Sequence, residues 1–272
     1  MVEEIKLIVE NKSGSEYTQH HIKCHDEDIT KYCLIPGDHI RGKKIAEQMD
    51  DVRLLSSTRA IFVYIGTYKG IPMNICSTGM GGPQVAIAME ELANMGADTF
   101  IRVGSCGAMQ DDMGVGDIVI ATATNREGGT SHNYLPVSFP AVSDFFVTRE
   151  LYDVANELGL KIHIGVVTAG DAFYAPKDPE ARSLLKKAGV LCGEMESDTV
   201  FILGNYRGLR AGALFVSDGG PKAKEIKSRG STQINIANHA SDEDFLRGED
   251  NIIKIALEAM YRIASKDKNK RT

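Results

Sequence analysis

The stretch 99–109, TFIRVGSCGAM, constrains the chain most. Phe100, Ile101 and Val103 are strand formers, and the run then breaks into Gly104-Ser105-Cys106-Gly107. A buried parallel strand that ends in a Gly-rich loop puts backbone N–H groups and a small hydroxyl at the carboxyl edge of a sheet. That is the edge at which open α/β sheets bind ligands. Arg102 lies inside the strand, where an unpaired charge is costly. A guanidinium beside a Gly-Ser loop fits phosphate, because its fork matches two phosphate oxygens. An ordinary βα turn with Arg102 in a structural ion pair is the competing reading of this stretch alone.

The same strand, glycine turn and helix recur along the chain. Residues 32–35 form a short strand, Pro36-Gly37-Asp38 ends it, and residues 41–49 carry helical periodicity. Arg41 in that first turn, at a helix N-terminus with free N–H groups, makes a second candidate anion site. Strands follow at 60–65 and 72–76, joined by a turn at 67–70. The glycine loop 78–83 leads into a helix at 84–95 with Val85, Ala88, Met89 and Leu92 on one face. Val115-Gly116-Asp117 turns into a strand at 118–123, and 125–147 is irregular, the mark of a functional loop. Helix 148–158, strand 162–168, helix 179–188, helix 199–206 and strand 211–216 come next. Residues 221–248 are polar and poorly patterned, and 250–265 is a closing amphipathic helix. The pattern predicts a single α/β domain, a central mixed twisted sheet flanked by helices. It places a peripheral extension at 1–20, the domain at 21–266 and a disordered tail at 267–272.

Composition excludes several classes. A net charge of −6 gives no reason to expect a nucleic acid or an anionic membrane as partner. Five cysteines, an odd number with no C-x-x-C pair, argue against a disulfide framework or a zinc site and for a reducing, cytoplasmic setting. The N-terminus MVEEIKLIVENK is too charged for a signal peptide, and no apolar run is long enough to span a membrane. His20, His21 and His25 lie close together without the carboxylate or Cys arrangement that would complete a metal site, so no metal and no cofactor are expected. Glu194 and Glu196 flank Met195 at a strand-to-helix junction. A carboxylate there can accept hydrogen bonds from the vicinal hydroxyls of a sugar, or simply satisfy the helix dipole.

Taken together, the motifs resemble the nucleoside phosphorylases that include the bacterial hexameric purine nucleoside phosphorylases and the uridine phosphorylases. The resembling segments are Ile35-Pro36-Gly37-Asp38 with Arg41, Thr78-Gly79-Met80-Gly81-Gly82, Ile101-Arg102-Val103-Gly104-Ser105-Cys106-Gly107, Phe139-Pro140-Ala141-Val142, Asp171-Ala172-Phe173-Tyr174, Glu194-Met195-Glu196-Ser197 and Val216-Ser217-Asp218. They fall in family order and cover roughly residues 21–220. The resemblance implies reversible phosphorolysis: nucleoside and phosphate give free base and pentose 1-phosphate, with phosphate as co-substrate. It places Gly37, Arg41, Arg102 and Ser105 around phosphate, with Arg59 lent by a neighbouring subunit. It gives Met195 and Glu196 to the ribose and His21 to the 5′-hydroxyl, again across an interface, with His20 or His25 as substitutes. It gives Phe173, Tyr174, Glu194 and Ser217 to the base. A homo-oligomer with shared sites, dimer or trimer of dimers, follows.

The resemblance divides over the base. FPAV, EMES and Gly208-Leu209-Arg210-Ala211-Gly212 look most like uridine phosphorylases. The Gln and Arg with which those enzymes read uracil are missing after Tyr174, where the chain reads Ala175-Pro176-Lys177-Asp178-Pro179-Glu180. Val216-Ser217-Asp218 instead matches the purine enzymes, in which the aspartate protonates the leaving base, so purine nucleosides are expected to be favoured with Asp218 as general acid. The arginine that assists this aspartate does not align, and Arg229 is the nearest candidate. Uridine phosphorolysis is the alternative. A water-using nucleosidase of the same fold and a non-catalytic nucleoside-binding protein stay open, though the arginine cage favours phosphate over water. A dinucleotide oxidoreductase is a weak alternative, since the first βα turn lacks G-x-G-x-x-G.

Overall fold

The computed structural model describes residues 19–176, 178–221 and 242–269. The expected extension at 1–20 therefore lies almost wholly outside the described residues, as do Arg229 and most of the segment 221–248.

Ten strands form one mixed sheet: β1 Tyr32–Pro36, β2 Asp50–Thr58, β3 Ile61–Tyr68, β4 Ile71–Ser77, β5 Thr99–Ala108, β6 Ile118–Arg126, β7 Ala141–Val142, β8 Ile162–Ala169, β9 Cys192–Glu194 and β10 Arg210–Gly219. β5 is the centre. It runs parallel to β1 on one side and to β10 on the other, and its last residues pair antiparallel with β9. β10 also pairs with β6, β6 with β8, and β8 with β9. The sheet therefore curls until β5, β10, β6, β8 and β9 close a ring, while β1, β4, β3 and β2 continue outward as a twisted flap.

Among the described residues seven α-helices cover it: α1 His39–Ala46, α2 Gly82–Asn94, α3 Gly129–His132, α4 Phe145–Glu157, α5 Pro179–Lys187, α6 Ser197–Arg207 and α7 Glu243–Asn269. The period-2 alternation of β5 shows how the layers are built. Phe100 faces a core shared with Val85, Met89 and Leu92 of α2 and Val200, Phe201 and Leu203 of α6. Ile101 and Val103 face a second core with Ile45 of α1, Val147 and Leu151 of α4, and Phe245, Ile252 and Leu257 of α7. With both faces covered, β5 reads as a near-continuous apolar run, and a charge inside it has to be accommodated.

The predicted α/β architecture is present, with informative differences. β5 does not end at Val103: Gly104 to Ala108 stay in the strand because β10 and β9 pair with them. β2 is a strand that an alternating polar pattern hid, for it lies at the outer edge with half its residues exposed. The irregular segment 125–147 contains the end of β6, α3, β7 and the start of α4. α7 begins earlier than residue 250 and runs past 266 to Asn269. There Lys266 meets Glu150, and Asp267 meets Arg210 at 2.6 Å, so the first residues of the expected tail are helical and ion-paired. All five cysteines are free and buried, and no described helix is long and apolar enough to cross a membrane.

Candidate active site

The carboxyl ends of the parallel strands β1, β5 and β10 gather the candidate residues. Register places Ile35 of β1 and Ala213 of β10 on either side of Arg102, and Val216 beside Ser105. Arg102 is 4 % exposed. Its Nε donates to Glu194 at 3.1 Å and its Nη2 to Glu196, and the guanidinium lies over the Phe215 ring. The competing reading of Arg102, a structural ion pair, is thus half true. Yet its Nη1 is buried with no hydrogen-bond partner. A sealed, unused guanidinium donor costs roughly 1–3 kcal/mol, more for a charged group, unless a ligand meets it.

Nη1 points toward Gly37. A Cβ on Gly37 would lie 3.7 Å from Arg102 Nη1 and 3.0 Å from the Gly79 carbonyl, so only glycine lets the backbone come this close to the guanidinium. A Cβ on Gly107 would meet nothing within 4 Å, which leaves space beyond the end of β5. Thr78 Oγ1, next in line to Gly79, is the second buried polar atom without a partner. Among the described residues only three such atoms are found. The third, Asp198 Oδ2, sits in the first turn of α6 beside Glu196.

Two carboxylates complete the cluster. Glu194 is taken up within the protein: it accepts from the N–H groups of Glu196 and Ser197, from the Ser197 hydroxyl at 2.6 Å and from Arg102. It fastens the start of α6 and orients Arg102, a different task from the base contact expected of it. Glu196, 3 % exposed, accepts from the Gly81 N–H at 2.6 Å and from Arg102. Gly81 has φ of 95°, a conformation glycine adopts without strain, and this aims its N–H at the carboxylate. Burial pushes Glu196 up to about 7, with Glu194 adding to the rise and Arg102 opposing it. Burial likewise lifts Asp198 to about 6, against the pull of Ser131 and Thr199. Met195 is half-buried between the two glutamates.

Arg41 lies on α1 and is 2 % exposed, its Nε on Glu249 at 2.8 Å and its Nη1 on the Val103 carbonyl at 3.3 Å. Ser105 is half-buried at the open end of β5. Ser217 is buried, its hydroxyl donating to the Gly219 carbonyl. Asp218 occupies a bulge where the β10–β5 register shifts; burial, then Cys192, and to a lesser extent Asp218 raise the Cys106 thiol. Phe173 and Tyr174 meet edge to face on the loop after β8, 47 % and 73 % exposed.

His21 and Arg59 form a separate group. His21 Nδ1 is 2.5 Å from Glu91 Oε1, and Thr58 Oγ1 donates to the His21 carbonyl at 2.6 Å. Arg59 and Ala60 make the tight turn between β2 and β3, with φ of 52° and 63°, and Arg59 is exposed. No hydrogen bond or ion pair among the described residues links either to Arg102, Glu196 or Ser105. Thr78 and Gly81 belong to the glycine loop singled out in the sequence, though not as site residues; Glu249, which meets Arg41 across 208 positions, carries no local pattern, and neither does the sealed Oδ2 of Asp198.

The fold and this edge define a class, and comparison with known proteins places the chain within it. Residues 31–243 match the phosphorylase superfamily. The chain is 38 % identical to a uridine phosphorylase of Thermococcus kodakarensis, over 99 % of this chain and 95 % of that one. It is 39 % identical to a guanosine phosphorylase of Halorubrum lacusprofundi, over 89 % of this chain and 98 % of that one. The crystal structure of a uridine phosphorylase from Vibrio fischeri superposes with a TM-score of 0.81 at 30 % identity, covering 91 % of this chain and 97 % of that one. The chain belongs to the phosphorylase superfamily, in its nucleoside phosphorylase family of pentosyltransferases.

Proposed function

We propose that this protein catalyses the reversible phosphorolysis of a nucleoside, with uridine favoured. One observation carries the phosphate half of the reading: a buried guanidinium with an unused donor, facing a glycine corner at the carboxyl edge of three parallel strands. In this reading phosphate enters that corner against Arg102, Arg41, Gly37 and Ser105. Glu196 exchanges contacts with Arg102 and Gly81 for the ribose 2′- and 3′-hydroxyls, with Met195 beneath the sugar. The transition state resembles an oxocarbenium ion, so a phosphate held below the anomeric carbon and a carboxylate beside the ribose stabilise the developing charge. Phe173 and Tyr174, exposed in one protomer, supply the wall for the base.

Charge explains why one protomer is not enough. Arg41, Lys44 and Arg102 are matched by Glu194, Glu196 and Glu249, so the corner has no net positive charge while Glu196 is ionised. A phosphate dianion needs a further cation. Arg59, exposed on a tight turn, supplies it from a second copy, and His21 beside that turn reaches the same neighbouring site. A homo-oligomer is therefore part of the proposal.

The preference for uridine over the purine nucleosides expected from Ser217-Asp218 rests on the relatives, most of which are uridine phosphorylases. The purine reading keeps one observation in its favour, Asp218 in its bulge, and one relative named for guanosine. Release of free base from uridine, inosine, guanosine and adenosine, with and without phosphate, tests the proposal. Release from uridine above all, and only with phosphate, is expected. Equal release without phosphate would overturn the phosphorylase reading, and a purine nucleoside as best substrate would overturn the base assignment.

A further inference from the structure

The second turn of α7 carries Gly248 and Glu249, both buried. Gly248 is pressed against the turn that precedes β6. A Cβ there would lie 2.5 Å from the Gly116 carbonyl oxygen and 2.7 Å from Val216 Cγ2. Gly116 answers in kind, since a Cβ on it would lie 2.4 Å from the Asp244 carbonyl oxygen. Gly116 and Asp117 in turn bond the backbone of Ser217 at 2.8 Å each. The helix therefore has one height and one rotation over β10.

At that height α7 delivers Glu249 to α1, which covers the same face of the sheet. One carboxylate oxygen accepts from Arg41 Nε at 2.8 Å and the other from Lys44 Nζ. Arg41 is sealed together with it, and Arg41 Nη1 is used by the Val103 carbonyl. Nη2 donates to no described residue. Burying two opposite charges in this way costs several kcal/mol per ion before their attraction is counted, and apolar side chains of similar volume hold a core at least as well. The arrangement is poorly accounted for by stability. It is well accounted for by orientation: with Nε and Nη1 both fixed, the planar guanidinium has no freedom left, and Nη2 is aimed.

We propose that Glu249 is a positioning residue of the phosphate site, acting from α7 to hold the Arg41 guanidinium with its remaining donor presented to phosphate. This rests on the reading of Arg41 as a phosphate ligand. It also gives α7 a functional share: the helix that packs against Ser217 and the start of the Asp218 bulge also sets the anion-binding arginine.

Steady-state kinetics with uridine and inorganic phosphate varied separately test it. Glu249→Gln keeps the shape and removes the charge. It is expected to raise the phosphate KM about tenfold or more while the uridine KM stays within about twofold. Adding Glu249→Gln to Arg41→Ala is expected to change the phosphate KM no further, because the residue has nothing left to position. Glu249→Asp retains the charge, and with it the fold, but withdraws the carboxylate by one methylene, so the same selective rise, several-fold, is expected there even if Glu249→Gln does not fold. A rise in phosphate KM for Arg41→Ala together with none in either Glu249 variant overturns the positioning role alone. So does an equal rise in both KM values, or an additive double variant. An unchanged phosphate KM in Arg41→Ala overturns the assignment of Arg41 itself, and the positioning role with it.

Discussion

At the scale of single residues, buried charge divides into groups that are satisfied and groups that wait. Arg102 has two donors in use and one idle. Arg102→Ala is expected to raise the phosphate KM and to lower kcat/KM by about 10²-fold or more, as loss of a preorganised donor does. Kinetics across a range of phosphate concentrations check this. Asp198 is the converse case: its Oδ1 accepts from the Thr199 N–H at 2.6 Å, while Oδ2 is sealed beside Gly128 without a well-formed hydrogen bond. Burial raises Asp198 to about 6 from an ordinary value of 3.8, so the folded protein holds a proton that the unfolded chain has released. Stability from this group is complete below about pH 4 and is lost as pH climbs through about 6. Asp198→Asn puts an amide donor where Oδ2 was, and melting curves are expected to show a gain in Tm at pH 8 that disappears at pH 4. Asp218 is the residue through which the purine reading can be tested. Asp218→Asn removes a transferable proton without changing shape. It is expected to cost about 10²–10⁴ in kcat for a purine nucleoside and little for uridine, whose leaving group offers no N7 to protonate. Equal losses for both substrates would assign Asp218 a structural role.

At the scale of elements, what the sequence made legible follows from how locally each signal is written. The strand, glycine turn and helix at 32–49 and 71–95 are contiguous patterns, and both were readable. β2 was not, because an edge strand with one wet face and polar ends has a weak period-2 signal. The end of β5 was misplaced because Gly-Ser-Cys-Gly reads as a loop, whereas pairing from β10 and β9, residues a hundred positions away, keeps it extended. The site shows the same division. Arg102 and Glu196 announced themselves as charges in apolar or glycine-rich runs, but the bond between them joins positions 94 apart and left no local trace. Glu194 could be seen as a site carboxylate, yet its commitment to the α6 start depends on geometry that spacing does not carry. Glu249 falls between the poorly patterned stretch that ends at Gly248 and the helix expected from residue 250, because this side of α7 meets glycine and backbone as well as apolar side chains. That contact is steep in its demands. Gly248→Ala brings a methyl to 2.5 Å from the Gly116 carbonyl oxygen and is expected to destabilise the fold by about 1–3 kcal/mol. A lower Tm by several degrees, with uridine KM retained, is the outcome that calorimetry and kinetics should show.

At the scale of the whole molecule, the proposed function draws its site from two places on the protomer. The carboxyl edge of β1, β5 and β10 presents Arg102, Glu196 and the corner at Gly37. The β2–β3 turn presents Arg59, and His21 is fastened beside it through Thr58 and Glu91. Arg59 and Ala60 hold left-handed backbone conformations that cost roughly 1–2 kcal/mol each for residues with a Cβ. Asn-Gly would fill such a turn with less strain. An arginine kept there at that cost, exposed and unpaired by any described carboxylate, fits the proposed role in a neighbouring copy. A twofold-symmetric dimer makes such an exchange reciprocal, each copy lending its turn to the other's corner. The consequence is a complementation experiment. Arg59→Ala alone and Arg102→Ala alone should each be nearly inactive, for every site lacks one arginine. When the two chains are unfolded, mixed in equal amounts and refolded, half of the dimers are mixed. In each of these, one site lacks both arginines and the other has both, since the Arg59→Ala chain keeps its own Arg102 and receives Arg59 from its partner. Recovery of roughly a quarter of the wild-type activity is the expected result for random reassociation. A mixture no more active than the sum of its parts, or a fully active monomer in sedimentation, would place Arg59 outside the chemistry and leave the corner's missing positive charge to another source.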